Sequence, residues 1–173
     1  MVMRSKFAIA GHPLHPALVA LPIGLFIWSF IALLVYVASD DDRTWYDIAY
    51  YSAIAGVITA LVAALPGFGD LVTLALKHER TRVPALIHMV LNLSVVALFA
   101  ITALLMYDEG ALDGGSLSTV VVLQAIAVGM LALSGWIGGE LVFRHHVAVL
   151  PEGEDVAAAG REARDLRPQT RGR

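Results

Sequence analysis

The chain has 173 residues, of which 58% are hydrophobic and only 16% charged, and its formal net charge is −3. Soluble domains run roughly 45–50% apolar and about 25% charged, so this excess points to lipid as solvent, and the small net charge gives no reason to expect a nucleic-acid partner. With no cysteine in the chain, disulfides, thiolate metal ligands, cysteine-held iron–sulfur clusters and haem attached through C-x-x-C-H are excluded.

Four apolar segments follow in order. The first runs from Ala17 to Ala38 and carries no charge. It is too long for a signal-peptide core and lacks a small-residue cleavage pattern after it, so it reads as a retained helix. The second runs from Ile48 to Phe68, also uncharged. The third runs from Val83 to Tyr107 and holds His88 and Asn92 as its strongest polar groups. The fourth runs from Leu117 to Gly139 and continues to Phe143. About 20 residues at 1.5 Å each cross a hydrocarbon core of about 30 Å, so each segment suffices for a span.

The connections, SDDDRTWYD, GDLVTLALKHERTR and DEGALDGG, are short and polar. Short links favour antiparallel neighbours, so the expected fold is an all-α integral membrane four-helix bundle. Aromatic residues gather near the expected interfaces, among them Trp45, Tyr46, Tyr50 and Tyr51. Gly56-x-x-x-Ala60 and Gly135-x-x-x-Gly139 read as small-residue ridges for ordinary contact inside the bundle. Residues 1–150 form the transmembrane domain in this reading. Residues 151–173 are polar and charged and form a flexible tail, with a helical turn or two around Asp155–Leu166.

Lysine and arginine fix the expected orientation. Arg4, Lys6, Lys77, Arg80, Arg82, Arg144 and the five arginines of the tail (Arg161, Arg164, Arg167, Arg171 and Arg173) fall on one side of the bundle. The other side holds Arg43 among Asp40, Asp41, Asp42, Asp47, Asp108, Glu109 and Asp113. The positive-inside rule then places both termini in the cytoplasm, as in a multi-pass protein of a prokaryotic inner membrane.

The same side collects the chemistry. His12 and His15 open the first helix, Asp70 closes the second, and His88 with Asn92 lies one to two turns into the third. Glu140, His145 and His146 end the fourth, and His78 sits in the second connection. In G-H-P-L-H-P the spacing i, i+3 puts His12 and His15 on nearly one face, either as an interfacial hydrogen-bonding pair or as ligands. An ionisable group inside a membrane helix costs energy unless paired, so His88 is either a neutral histidine bonded to another helix or an axial haem or metal ligand. Asp70 is either solvated, paired with Lys77 or Arg82, or a ligand, and Glu140 is either solvated or a ligand.

The stretches GHPLHPALVALPIG at residues 11–24 and SGWIGGELVFRH at residues 134–145 resemble a family of four-helix prokaryotic membrane proteins of unknown function. The resemblance covers residues 8–150 and includes Gly67, Asp70 and His88. It departs at His146-Val-Ala-Val149, where that family usually reads G-V-G-V, so His145 transfers better than His146. Relatives resemble partners of redox modules, and the layout is distantly similar to the diheme cytochrome b superfamily. The resemblance therefore implies electron transfer through a b-type haem (heme b), with a redox partner protein. His12, His15, His88 and His145 are the expected cofactor-binding residues. Gly24, Gly135, Gly138 and Gly139 would make room for the macrocycle, and Arg80, Arg82 and Arg144 would meet its propionates.

The same residues admit a site for Zn, Fe, Mn or Cu, built from His12, His15 and His88 with Asp70 or Glu140. A small transporter and a structural subunit without ligand are further readings, and any of these can form a homo-oligomer. Nothing resembles a nucleophile with its base or a phosphate loop, so the chain reads as a carrier or binding subunit rather than an enzyme.

Overall fold

A computed structural model of the chain describes residues 5–10, 12–39, 42–107, 114–145 and 147. The expected tail at 151–173 and His146 lie outside the described residues. Two short strands, β1 (Ala8–Ile9) and β2 (His12–Pro13), pair antiparallel around Ala10, whose φ of 50° is left-handed. Five helices follow: α1 (Leu14–Leu18), α2 (Ala20–Ala38), α3 (Arg43–Thr73), α4 (Glu79–Tyr107) and α5 (Gly114–Phe143). A single 3-10 turn, Ala75–Lys77, joins α3 to α4.

Among the described residues, four helical stretches are long and apolar enough to cross a membrane: Leu14–Ala38, Arg43–Lys77, Glu79–Tyr107 and Ser116–Phe143. The chain is a multi-pass membrane protein. Its spans are longer than the apolar segments alone, because polar ends continue the helices. Asp42 caps α3 by accepting from the Thr44 N–H at 2.9 Å, which starts that helix within the acidic connection. Large apolar side chains point outward along every span, such as Leu21, Leu65, Leu104 and Trp136, so the outer surface is made for lipid.

Each span packs against the next, α1 and α2 together making the first, and α5 closes the ring against α2. The core stacks in three layers along the bundle axis. At the acidic end, Ala32, Leu33, Tyr46, Ala49, Met106 and Val120 pack together. The middle layer is Phe26, Ala53, Val95, Phe99, Ala127 and Leu131. At the basic end, Leu71, Ala75, Ala85 and Leu141 close the interior. Tyr46, expected in an interfacial belt, is instead buried at 2% exposure, and its hydroxyl donates to the Met106 carbonyl. The phenol has a polar tip that must be satisfied where no water reaches, and the end of α4 supplies the acceptor.

The two small-residue ridges part ways. Gly56 does lie in bundle contact: a Cβ there would come within 2.6 Å of the Phe26 ring, which stacks on Phe99 at 4.2 Å. Gly135 corrects the expectation, since it faces open space with no atom within 4 Å of a Cβ. Gly56→Ala must therefore displace a fully packed ring, at a cost of about 1–3 kcal/mol. Thermal unfolding in detergent, followed by circular dichroism, is expected to show a lowered Tm; an unchanged Tm would contradict this packing.

Candidate functional site

The N-terminal hairpin folds over the basic end of the bundle and delivers α1 to it. Leu14 N–H, at the start of α1, donates to the Phe7 carbonyl at 2.9 Å. The helix has no buried residue and no side-chain cap, and it runs on into α2 through Val19, whose N–H donates to the His15 carbonyl, so the hairpin before it and the span after it place it together. His15 reaches across to α3, where its Nδ1 lies 2.8 Å from the Ala63 carbonyl. Pro66, three residues on, lacks an N–H and interrupts the helix ladder in this same turn. The imidazole rests on Gly67, where a Cβ would approach His15 Nδ1 to 2.6 Å.

His88 occupies the matching position between α4 and α5. Its Nδ1 lies 2.9 Å from the Ser134 carbonyl and 3.0 Å from the Ser134 hydroxyl. Gly138, one turn on, makes the room: a Cβ there would meet His88 Cε1 at 2.8 Å. Asn92, one turn along α4, donates to the Ser134 hydroxyl at 2.7 Å and to the His88 carbonyl at 2.8 Å, and its amide nitrogen lies 3.1 Å from His88 Nε2. Ser134 is 1% exposed. It carries much of this network, although the sequence marked it only as the first residue of the SGWIGG stretch.

A carbonyl oxygen can only accept. The proton of each neutral imidazole therefore sits on Nδ1, and Nε2 keeps its lone pair. The two rings stand nearly perpendicular to each other, edge to face, with centroids 6.4 Å apart and planes at 86°. His15 and His88 are thus two oriented imidazoles, each from one helix and tied to another.

The remaining expected residues are placed as follows. His12 does not join this pair: residue 12 lies in β2, exposed, with Nδ1 3.1 Å from the Ala10 carbonyl of its own hairpin. The i, i+3 argument required helix at both positions, and helix begins only after Pro13. Asp70 is 6% exposed and accepts from the Ser5 hydroxyl at 2.6 Å, rather than pairing with Lys77 or Arg82. It is also close enough to His15 for the two to interact electrostatically. Glu140 pairs with Arg144, one turn on along the same helix end. His145 follows α5, its N–H bonded to the Glu140 carbonyl at 3.3 Å. Arg82 reaches the Leu76 carbonyl at 3.4 Å.

Among the described residues no group of three or more His, Asp or Glu is gathered as a metal site. The glycines expected to make space for a macrocycle behave differently. Gly138 is filled by the His88 ring, Gly24 and Gly135 face open space, and Gly139 meets only Phe143 at 4.0 Å.

Residues 11–151 match the model of a family described as predicted membrane protein (DUF2231), a match that takes in all four spans, and the chain belongs to that family. No curated protein and no solved structure matches the chain.

Proposed function

We propose that this DUF2231 protein is a membrane electron carrier that holds a b-type haem between His15 and His88, with its basic end in the cytoplasm of a prokaryotic cell. The observation that carries the reading is the pair of Nδ1-tied imidazoles, nearly perpendicular at 6.4 Å. Two imidazoles bound on opposite sides of one metal, at about 2.0 Å from each nitrogen, have ring centroids roughly 6 Å apart.

The donor count also favours haem over a bare ion. A structural zinc site takes four protein ligands and a catalytic one takes three. The pair offers two, and a haem, whose iron is held mainly by its macrocycle, would need no more than these from the chain. Hydrogen bonds from Nδ1 to fixed carbonyls set ring orientation and ligand basicity, a supporting shell that ligating histidines need. Asn92 bonds Ser134 and the His88 carbonyl as well, so release of His88 Nε2 does not strand its amide. Arg80 and Arg82 lie at the same end for the propionates. When bound, the haem supplies one-electron exchange; the chain's residues hold it, orient it and keep lipid on the outside. A redox partner protein would meet it at the basic end.

The test is an absorption spectrum of the full chain purified in mild detergent, oxidised and then reduced with dithionite, with metal analysis on the same sample. A Soret band that shifts on reduction is the expected result. A protein without one, even after titration with hemin, would overturn the reading, and bound metal without a Soret band would replace it with a bare-ion site.

Orientation is tested separately. The natural chain has no cysteine, so a single introduced thiol reports one position. A membrane-impermeant maleimide should label Thr44→Cys in intact spheroplasts and Arg80→Cys only after permeabilisation. The reverse pattern would invert the topology.

A further inference from the structure

Asp70 is a carboxylate buried at the end of a membrane span, where an acid is costly unless it is satisfied. Among the described residues, its side-chain hydrogen bond goes neither to a cation nor to a neighbouring helix. It goes to Ser5, 65 positions away in sequence, in the segment before the first span. From there the contacts run in one direction. The Ser5 hydroxyl accepts from the Phe7 N–H at 3.0 Å. The Phe7 ring lies on Gly69, where a Cβ would come within 2.1 Å of it. The Phe7 carbonyl accepts from Leu14 N–H, and the next residue is His15. The short helix between has nothing of its own in the core.

We infer that Asp70 is a positioning residue for His15, acting through a latch made of Ser5 and Phe7 that clamps the N-terminal hook onto Gly69 and sets the depth and direction of the imidazole. His88 stands well inside its helix, whereas His15 stands in the first turn of its span, at the joint with the hairpin. The pair is therefore built asymmetrically. One imidazole sits in mid-helix, and the other at a helix start that the latch holds down. The functional meaning of this latch rests on the proposed haem reading, but its existence does not.

The test uses the full-length protein in detergent, without added cofactor, labelled with 15N-histidine. The Nδ1–H resonances of His15 and His88 are assigned with H15Q and H88Q. In Asp70→Leu the His15 resonance is expected to vanish into exchange with water while that of His88 stays in place. Ser5→Ala should do the same, and it keeps the latch testable if Asp70→Leu does not fold. Asp70→Asn retains an oxygen acceptor for Ser5 and should restore the His15 signal. A His15 resonance unmoved in both Asp70→Leu and Ser5→Ala would overturn the latch. Loss of both histidine signals together would overturn it as well, because it would show Asp70 supporting the whole bundle rather than the N-terminal hook. A hemin titration of the same variants separates the two claims. If His15 responds as expected and no variant, nor the natural chain, gives a Soret band, the latch stands and the haem reading falls. With haem bound, Asp70→Leu should lose the six-coordinate low-spin spectrum and keep haem on His88.

Discussion

His88→Ala is expected to remove the Soret band of the hemin-loaded protein while leaving a folded bundle. On the proposed reading the imidazole would supply one of two nitrogens to the haem, so its loss would remove half of the donor set. Its structural contribution is modest by comparison. The bonds it makes to Ser134 join two membrane helices, and such bonds average about 0.6 kcal/mol in a bilayer environment. The side chains around it keep partners, since Asn92 still reaches the Ser134 hydroxyl. Circular dichroism should therefore show native helix content in His88→Ala and a Tm lowered by a few degrees. A Soret band unchanged in His88→Ala would remove His88 from the site. Collapse of the helical signal would mean that the residue is chiefly structural.

Gly138→Val is expected to have nearly as large an effect without touching a ligand. The glycine exists where the His88 ring passes, and even a single Cβ would stand 2.8 Å from Cε1 and 3.3 Å from Nδ1. The ring cannot swing clear as a lysine tip could, because Nδ1 is bonded one turn away at Ser134. Either that bond breaks or α4 and α5 separate, at an overpacking cost of about 1–3 kcal/mol. The expected readouts are a lowered Tm and a weakened or displaced Soret band. Gly135→Ala is the control, because its side chain would enter open space and neither readout should move. If Gly138→Val and Gly135→Ala behave alike, the cradle assigned to Gly138 is wrong.

The spans were legible because burial in lipid demands long uncharged runs, and composition alone records them. The shared end of the histidines was legible for the same reason, since four crossings fix which residues meet. Local geometry was less so. The His-Pro repeat suggested two imidazoles on one helical face, whereas the hairpin before α1 turns His12 away. That hairpin has no periodic pattern to announce it, and its anchor depends on Ser5 meeting Asp70, a contact across most of two spans. Ser134 was not assigned to the site because a serine in a membrane helix commonly bonds its own backbone. The glycines were recognised as space but assigned to the wrong occupant. Sequence shows where a side chain is missing and does not show what fills the gap; here Gly67 and Gly138 admit the two histidine rings themselves.

The middle layer of the core divides the polar groups of the bundle interior. Below it lies Asn92, which donates to Ser134, and above it lies Gln124, whose amide N–H donates to Thr102 while its buried Oε1 has no partner among the described residues. Between them the interior is filled by Phe26, Val95, Phe99, Ala127 and Leu131, with the two phenyl rings stacked. Asn92 and Thr102 are ten residues apart, about 15 Å along the helix, and apolar side chains of all four spans fill the core between them. This apolar layer separates the polar groups at the two ends of the bundle, so among the described residues the histidines on one side and Gln124 with Thr102 on the other have no packed polar contact through it.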